Sequence, residues 1–449
     1  VEFKSNVAES GGAIYVETLD NNMRSRAASS MMTLNQLRLR LNQGSKNGGS
    51  IFMSSADISI TSFEESGSNA VEGGGFAYIT DGSTMRASDG NIENTHVDIL
   101  EGKGGVINVD KGSVLDMDQV AMTSMKGYLA QTTGAKYCDS SDCYSALQGG
   151  ALYVKSRSTK VTLRDVKMKG FITEAEEGIG GGVYVEGSAE FTMSKSTISY
   201  CNATSGAAIY AGSDTVVLVQ QESVLEHCRS MYEAAAIYIQ LASVNVSDSM
   251  LQDNYCEGDG GAVYVDAGSD FFIEGSTLER NKAARGGAVF VGRQSIFGAR
   301  ETTFKANEAA EDGGAIASED NYRQAFQLES LLFDGNAAPN GMGGAMHLNR
   351  ASSSLSSCTF KNNVASTGGA VSLYGYVGGG SRERTNQIRS KLILIGKSNI
   401  FESNIATTSN RGGGYARGGA VYVGGTSLYD STGAKFVQYT LNKAQAGGA

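Results

Sequence analysis

GDGGAVYVDAGSDFFIEGSTLERNKAARGGAVFVG, Gly258 to Gly292, states the phrase GGAVYV and restates it as GGAVFV. The interval, Ala262 to Ala288, is 26 residues. The same corner recurs along the chain with its third residue at Ala13, Ser50, Phe76, Val106, Ala151, Gly182, Ala208, Ala236, Ala262, Ala288, Ala315, Ala345, Ala370, Ala420 and Ala449. Each corner leads into a short β-branched and aromatic strand such as IYV, VYV or LYV. A second strand follows, ending on a large apolar residue three positions before an Asn: Phe3 to Asn6, Leu251 to Asn254, Leu278 to Asn281, Phe304 to Asn307, Phe333 to Asn336, Phe360 to Asn363 and Phe401 to Asn404. A unit this short cannot bury its own apolar face, whereas copies stacked on one another bury a continuous core. The period is too short for a four-stranded propeller blade, and the strands lack helical patterning. The expected fold is therefore all-β: a single parallel β-helix over residues 1–449, of about fifteen coils rising about 4.8 Å each. Longer corner intervals predict insertions near residues 20–45, 110–148, 376–391 and 407–417.

Composition agrees with a folded repeat. Glycine numbers 59, proline 1 and tryptophan 0, with 41% hydrophobic residues. Low-complexity disorder would bring proline along with glycine, and proline would interrupt strand ladders. The net charge of −10 is spread without long runs, which argues against nucleic-acid or anionic-membrane partners. No apolar stretch approaches the length of a membrane-spanning helix. Both ends read as coil interior, so the sequence is expected to be a segment of a longer chain.

Side-chain direction follows from the columns. Residues one and three after the corner are aliphatic (Val263 and Val265, Met346 and Leu348) and point inward. The residue between them is Tyr15, Tyr78, Tyr153, Tyr210, Tyr238, Tyr264, Phe290 or Tyr422, but also Asn108, His347 or Ser372. That mixture predicts an external aromatic stripe, able to stack sugars or neighbouring rods. The recurrent Asn is expected to form an amide ladder from coil to coil.

Corners that read GGA before Ile, Leu or Val, alternating with Phe-x-x-Asn, resemble the polymorphic outer membrane protein repeat family and related right-handed parallel β-helix extracellular proteins. The resemblance covers nearly the whole chain. It implies a right-handed β-helix displayed at a cell surface and associated with adhesion.

Cys138 and Cys143 bracket CDSSDC, which predicts a local disulfide. Cys201 and Cys228 occupy the Asn position of consecutive repeats. Stacking places their Cα atoms about 4.8 Å apart, so a vertical disulfide and two stacked thiols both remain open, and Cys256, one repeat on, could compete for Cys228. Cys358 should be an inert core thiol. Two glycosylation sequons, Asn202-Ala-Thr204 and Asn245-Val-Ser247, should both be exposed. Together these features lean toward an extracellular or cell-surface location.

Evidence for chemistry is thin. Acids gather before the corners (Glu9, Glu72, Glu101, Glu177, Asp259, Asp312), where solvated turn residues are favoured over calcium positions. His96, His227 and His347 fall in different coil positions and build no triad or metal site. Arg382, Arg384, Arg389 and Lys391 sit in a Gly/Ser/Arg-rich insertion. No catalytic residue, metal or cofactor is assigned. The expected function is a non-catalytic structural solenoid of a fibre, coat or appendage, self-associating or contacting neighbouring extracellular proteins. A carbohydrate- or host-binding adhesin passenger is the alternative, and a polysaccharide-active enzyme a distant third.

Overall fold

The computed structural model describes residues 1–18, 30–97, 102–124, 148–173, 178–321, 326–375, 390–407 and 416–444. They form two units, Val1–Arg229 and Ser230–Ala449. Among the described residues every regular element is a β-strand and the pairings between strands are parallel. Each unit is a stack of parallel coils whose strands fall at three sheet positions.

Sheet 1 follows the glycine corner. In the first unit it runs from Ile14–Glu17 through Ile51–Ser54, Ala77–Thr80, Ile107–Val109, Leu152–Lys155 and Val183–Glu186 to Ile209–Ala211. In the second it runs from Ile237–Ile239 through Val263–Val265, Val289–Val291, Ile316–Glu319, Met346–Asn349 and Val371–Gly375 to Val421–Gly425. Among the described residues fourteen strands occupy this position, seven in each unit. The fifteenth corner, at Ala449, lies outside the described residues.

Sheet 2 is longer and kinked. Asp270–Glu274 and Thr277–Glu279 are its two arms in one coil, joined at Gly275 (φ 58°). Asp248, Glu301, Ser330 and Ser357 hold the same left-handed conformation in other coils. Such residues cost about 1–2 kcal/mol each away from glycine, so the stacked backbone imposes the kink. Sheet 3 is a two- to six-residue strand between the Asn and the next corner, as at Lys282–Ala283.

The corner explains its glycines. Gly260 sits at φ 71°, and a Cβ on Gly287 would lie 2.2 Å from the Gly314 carbonyl oxygen of the next coil. Successive corners also bond each other: Gly261 N–H donates to Gly286 O at 3.1 Å and Ala262 N–H to Ala288 O at 2.9 Å.

The inward column of sheet 2 carries the core. Phe304, Phe333, Phe360 and Phe401 are fully buried, with rings 4.6–4.9 Å apart and nearly parallel. Two predicted insertions are smaller than the spacing implied. Ser30–Arg40 and Gln43–Asn47 are regular coil strands, as is Val114–Thr123. What remains of both insertions, and most of the other two, lies outside the described residues.

Candidate functional site

The Asn column is a structural ladder of the predicted kind. A left-handed residue precedes each Asn (Asp253, Arg280, Ala306, Asn362, Ser403; φ 50–58°) and turns the amide into the coil. Asn254, Asn281, Asn307, Asn336, Asn363 and Asn404 are buried. Each donates from both backbone N–H and side-chain Nδ2 to the Oδ1 of the next: Asn307 reaches Asn336 at 3.1 and 3.0 Å, and Asn336 reaches Asn363 at 3.0 and 3.0 Å. The second amide hydrogen goes to a carbonyl one coil back, as from Asn336 to Phe304 O at 2.9 Å. Asn6 donates to Asn42 in the same way at 3.1 and 2.9 Å. Asn42 and Asn442 belong to the column although the repeat reading passed over them. Leu39 and Tyr439, three residues earlier, mark them by the same rule.

In the first unit the column degenerates to Ser68, Thr95, Phe171, Cys201 and Cys228. Cys201 and Cys228 are both buried and stand as thiols without a disulfide, the second of the two alternatives. Cβ atoms on parallel strands leave in parallel directions, and a disulfide needs them to converge. Burial, then the neighbouring Cys201 sulfur, pushes the Cys228 thiol well up. Cys358 is also a buried thiol, raised to about 12 by burial. Cys138 and Cys143 lie outside the described residues.

One coil of the first unit carries a group the sequence reading missed. Glu65 stands in the inward column, between Leu39 and Ile92, where other coils have an apolar residue. It is 2% exposed. Ser50, which replaces the usual corner Ala, donates to Glu65 Oε2 at 3.0 Å, and its Oγ shares a hydrogen bond of 2.9 Å with Ser68 Oγ. Burial raises the Glu65 carboxyl to about 7. The signal was present in the sequence as Glu-x-x-Ser in place of Phe-x-x-Asn, together with GGS in place of GGA.

The aromatic stripe requires correction. Tyr153–Tyr184–Tyr210 stack at 5.2 and 5.0 Å, and Tyr238–Tyr264–Phe290 at 5.4 and 5.1 Å. Tyr15–Phe52–Tyr78 do the same. Ring faces thus close on each other. Lys103 caps Tyr153, and Arg285 lies 4.7 Å over Phe290, held by Asp259 at 2.9 and 2.6 Å and by Glu319 at 2.9 Å. Tyr153, Tyr210 and Phe290 are buried, as are Asn108, His347 and Ser372 in the same column. Tyr78, Tyr238, Tyr264 and Tyr422 are half-buried, and Tyr15 alone of the predicted set is exposed. Outward direction is therefore not exposure here.

The acids before the corners serve ion pairs and hydrogen bonds. Glu9 pairs with Lys46, Asp259 with Arg285, and Asp312 accepts from Met342 N–H at 2.7 Å. Glu101, Glu177, Arg382, Arg384 and Arg389 lie outside the described residues. Among the described residues no group of three or more His, Cys, Asp or Glu could hold a metal ion.

Open surface is found instead on sheet 2 of the second unit. A groove of about 570 Å³ runs along its first arm. Along its floor Asn245, Phe272, Gly298, Gln327 and Ser354 are in direct register, one per coil. Phe272 is 45% exposed, and its ring leans over Gly298, where a Cβ would come within 2.8 Å of Cδ1. Glu274, Arg300 and Glu329 form one wall, with Arg300 paired to Glu274. The alternation that turns Asn245 outward in VNVS also turns Phe272 outward in FFI, so this feature too was readable.

The sequons part company. Asn245 is exposed on the groove floor. Asn202 is half-buried within a strand, and Thr204 is buried with its hydroxyl donating to Gly178 O, contrary to the expectation of two exposed sites.

No curated protein matches the chain. Residues 181–365, whose strands belong to the coils described above, match the family model of the right handed beta helix region, and the fold is that of a right-handed parallel β-helix.

Proposed function

We propose that this chain is a non-catalytic extracellular structural solenoid, a building block of a surface fibre, coat or appendage. The observation that carries this reading is the amide ladder of the second unit. It places a buried, fully bonded polar group in coil after coil, together with stacked phenylalanines. Paired polar groups in a dry interior fix one register and resist shear, which suits a load-bearing element. Closure of the tyrosine faces supports the same reading, because a sugar platform needs a free ring face. Electron microscopy of the native, full-length material tests it. Filaments with a regular axial repeat are expected, and discrete rods projecting from a membrane would replace the proposal with the adhesin reading. The groove over Phe272 is the one observation that favours the adhesin, since it offers an open aromatic face flanked by polar groups.

A further inference from the structure

Phe272 is exposed on a sheet face with its ring over Gly298, and its immediate neighbour in the preceding coil is the asparagine of a sequon. We infer that Asn245 is a glycosylation site whose first N-acetylhexosamine seats on the Phe272 ring, so that the groove is filled by the chain's own glycan. This inference rests on the extracellular reading above.

Three observations converge. Asn245 is exposed, and Ser247 stands on the same face two residues on, half-exposed. Phe272 is in direct register with Asn245, one strand spacing of about 4.8 Å away. Gly298, next in the column, is what lets the ring lie there, since a Cβ would come within 2.8 Å of Phe272 Cδ1. A pyranose laid on the ring would bring its apolar C–H face against Phe272 and its hydroxyls toward Gln327 and Ser354 on the floor and Arg300 on the wall. Attachment needs a polyprenyl-diphosphate-linked oligosaccharide. Nδ2 of Asn245 attacks the anomeric carbon, the C–N bond forms, the C–O bond to the diphosphate breaks, and one amide proton leaves to solvent with the lipid diphosphate.

The other sequon lacks these features. Asn202 donates its backbone N–H to Phe171 O at 2.9 Å, and Thr204 is enclosed. A glycan there would have no seat on the folded coil.

The test is to secrete the full chain from a eukaryotic host and release N-glycans enzymatically in ¹⁸O water, marking each occupied Asn as labelled Asp. Label at Asn245 and not at Asn202 is expected. Enzymatic removal of the glycan should lower Tm by about 2–4 °C. That shift should vanish in Phe272→Ser, and also in Gly298→Ala, whose methyl group displaces the ring. An unlabelled Asn245 overturns the proposal, as does an undiminished shift in both variants. Discrete rods in the native material would defeat the fibre reading and leave this result standing.

Discussion

The Asn column of the second unit and that of the first occupy the same position within their coils, yet they are built differently. From Asn254 to Asn442 the second unit repeats one amide, each residue donating twice to the next. The first unit begins with Asn6 and Asn42 and then passes through Ser68 and Thr95 to Phe171 and two cysteines. Ser68 still accepts from Asn42 N–H at 3.0 Å, while Thr95 turns back to Glu93 O. Coil geometry therefore does not depend on the amide. What the amide adds is bonding between coils, so the two units should differ in how strongly a single side chain is felt.

The largest expected effect is Asn336→Ala. It strips partners from Asn307 N–H and Nδ2, Phe304 O and Asn363 Oδ1 at once. A loss of about 3–5 kcal/mol is expected, against about 1 kcal/mol for Thr95→Ala. Native-state hydrogen exchange on the flanking coils would read both, since a coil stack need not unfold in one step. Equal losses would end the comparison.

Next comes pH. The folded Glu65 carboxyl titrates near 7 because it is buried, above its ordinary value of 4.5. A folded value above the unfolded one means stability that is present at low pH and lost as pH rises. The first unit should therefore weaken between about pH 4.5 and 7, by about 3 kcal/mol in total. Glu65→Gln should flatten that part of the profile in urea titrations at pH 5 and 8. An unchanged wild-type slope in the variant would remove Glu65 from the explanation.

The smallest effect is a gain. Cys201→Asn with Cys228→Asn supplies one new rung to the first unit and should add about 1 kcal/mol. In the parent chain both thiols should resist a thiol reagent until denaturant is added, because burial keeps Cys228 protonated. Rapid labelling of the native chain would contradict their burial.

Much of this was legible because the repeat is local. The corner glycines, the inward aliphatics and Phe-x-x-Asn each report on one coil, and a coil is written in fewer than thirty residues. The residues missed are those whose environment comes from the next coil. Tyr153 is buried by Tyr184 and by Lys103, which lies 50 positions before it, and no period-2 rule reveals that. Glu65 was passed over because it breaks the column, although its partner Ser50 breaks the corner in the same coil. The insertions were drawn too wide because SMMTLNQLRLR, Ser30–Arg40, carries its apolar residues around a left-handed Gln36 that shifts the alternation by one.

The direction of the amide ladder has a further consequence. Every amide-to-amide bond of the ladder runs toward the C-terminal side, while the second amide hydrogen of each rung returns to a carbonyl of the coil before. Adding a coil satisfies the donors of the one before and presents an identical set at the new front. The unsatisfied boundary moves without growing, so its free energy is a constant, while each completed coil adds its own increment. A stack of this kind has a fixed cost for having an end and a return proportional to length. Within this column it also has a polarity: the front presents the N–H donors of one Asn and the rear the Oδ1 acceptor of another. Growth on such a stack is vectorial.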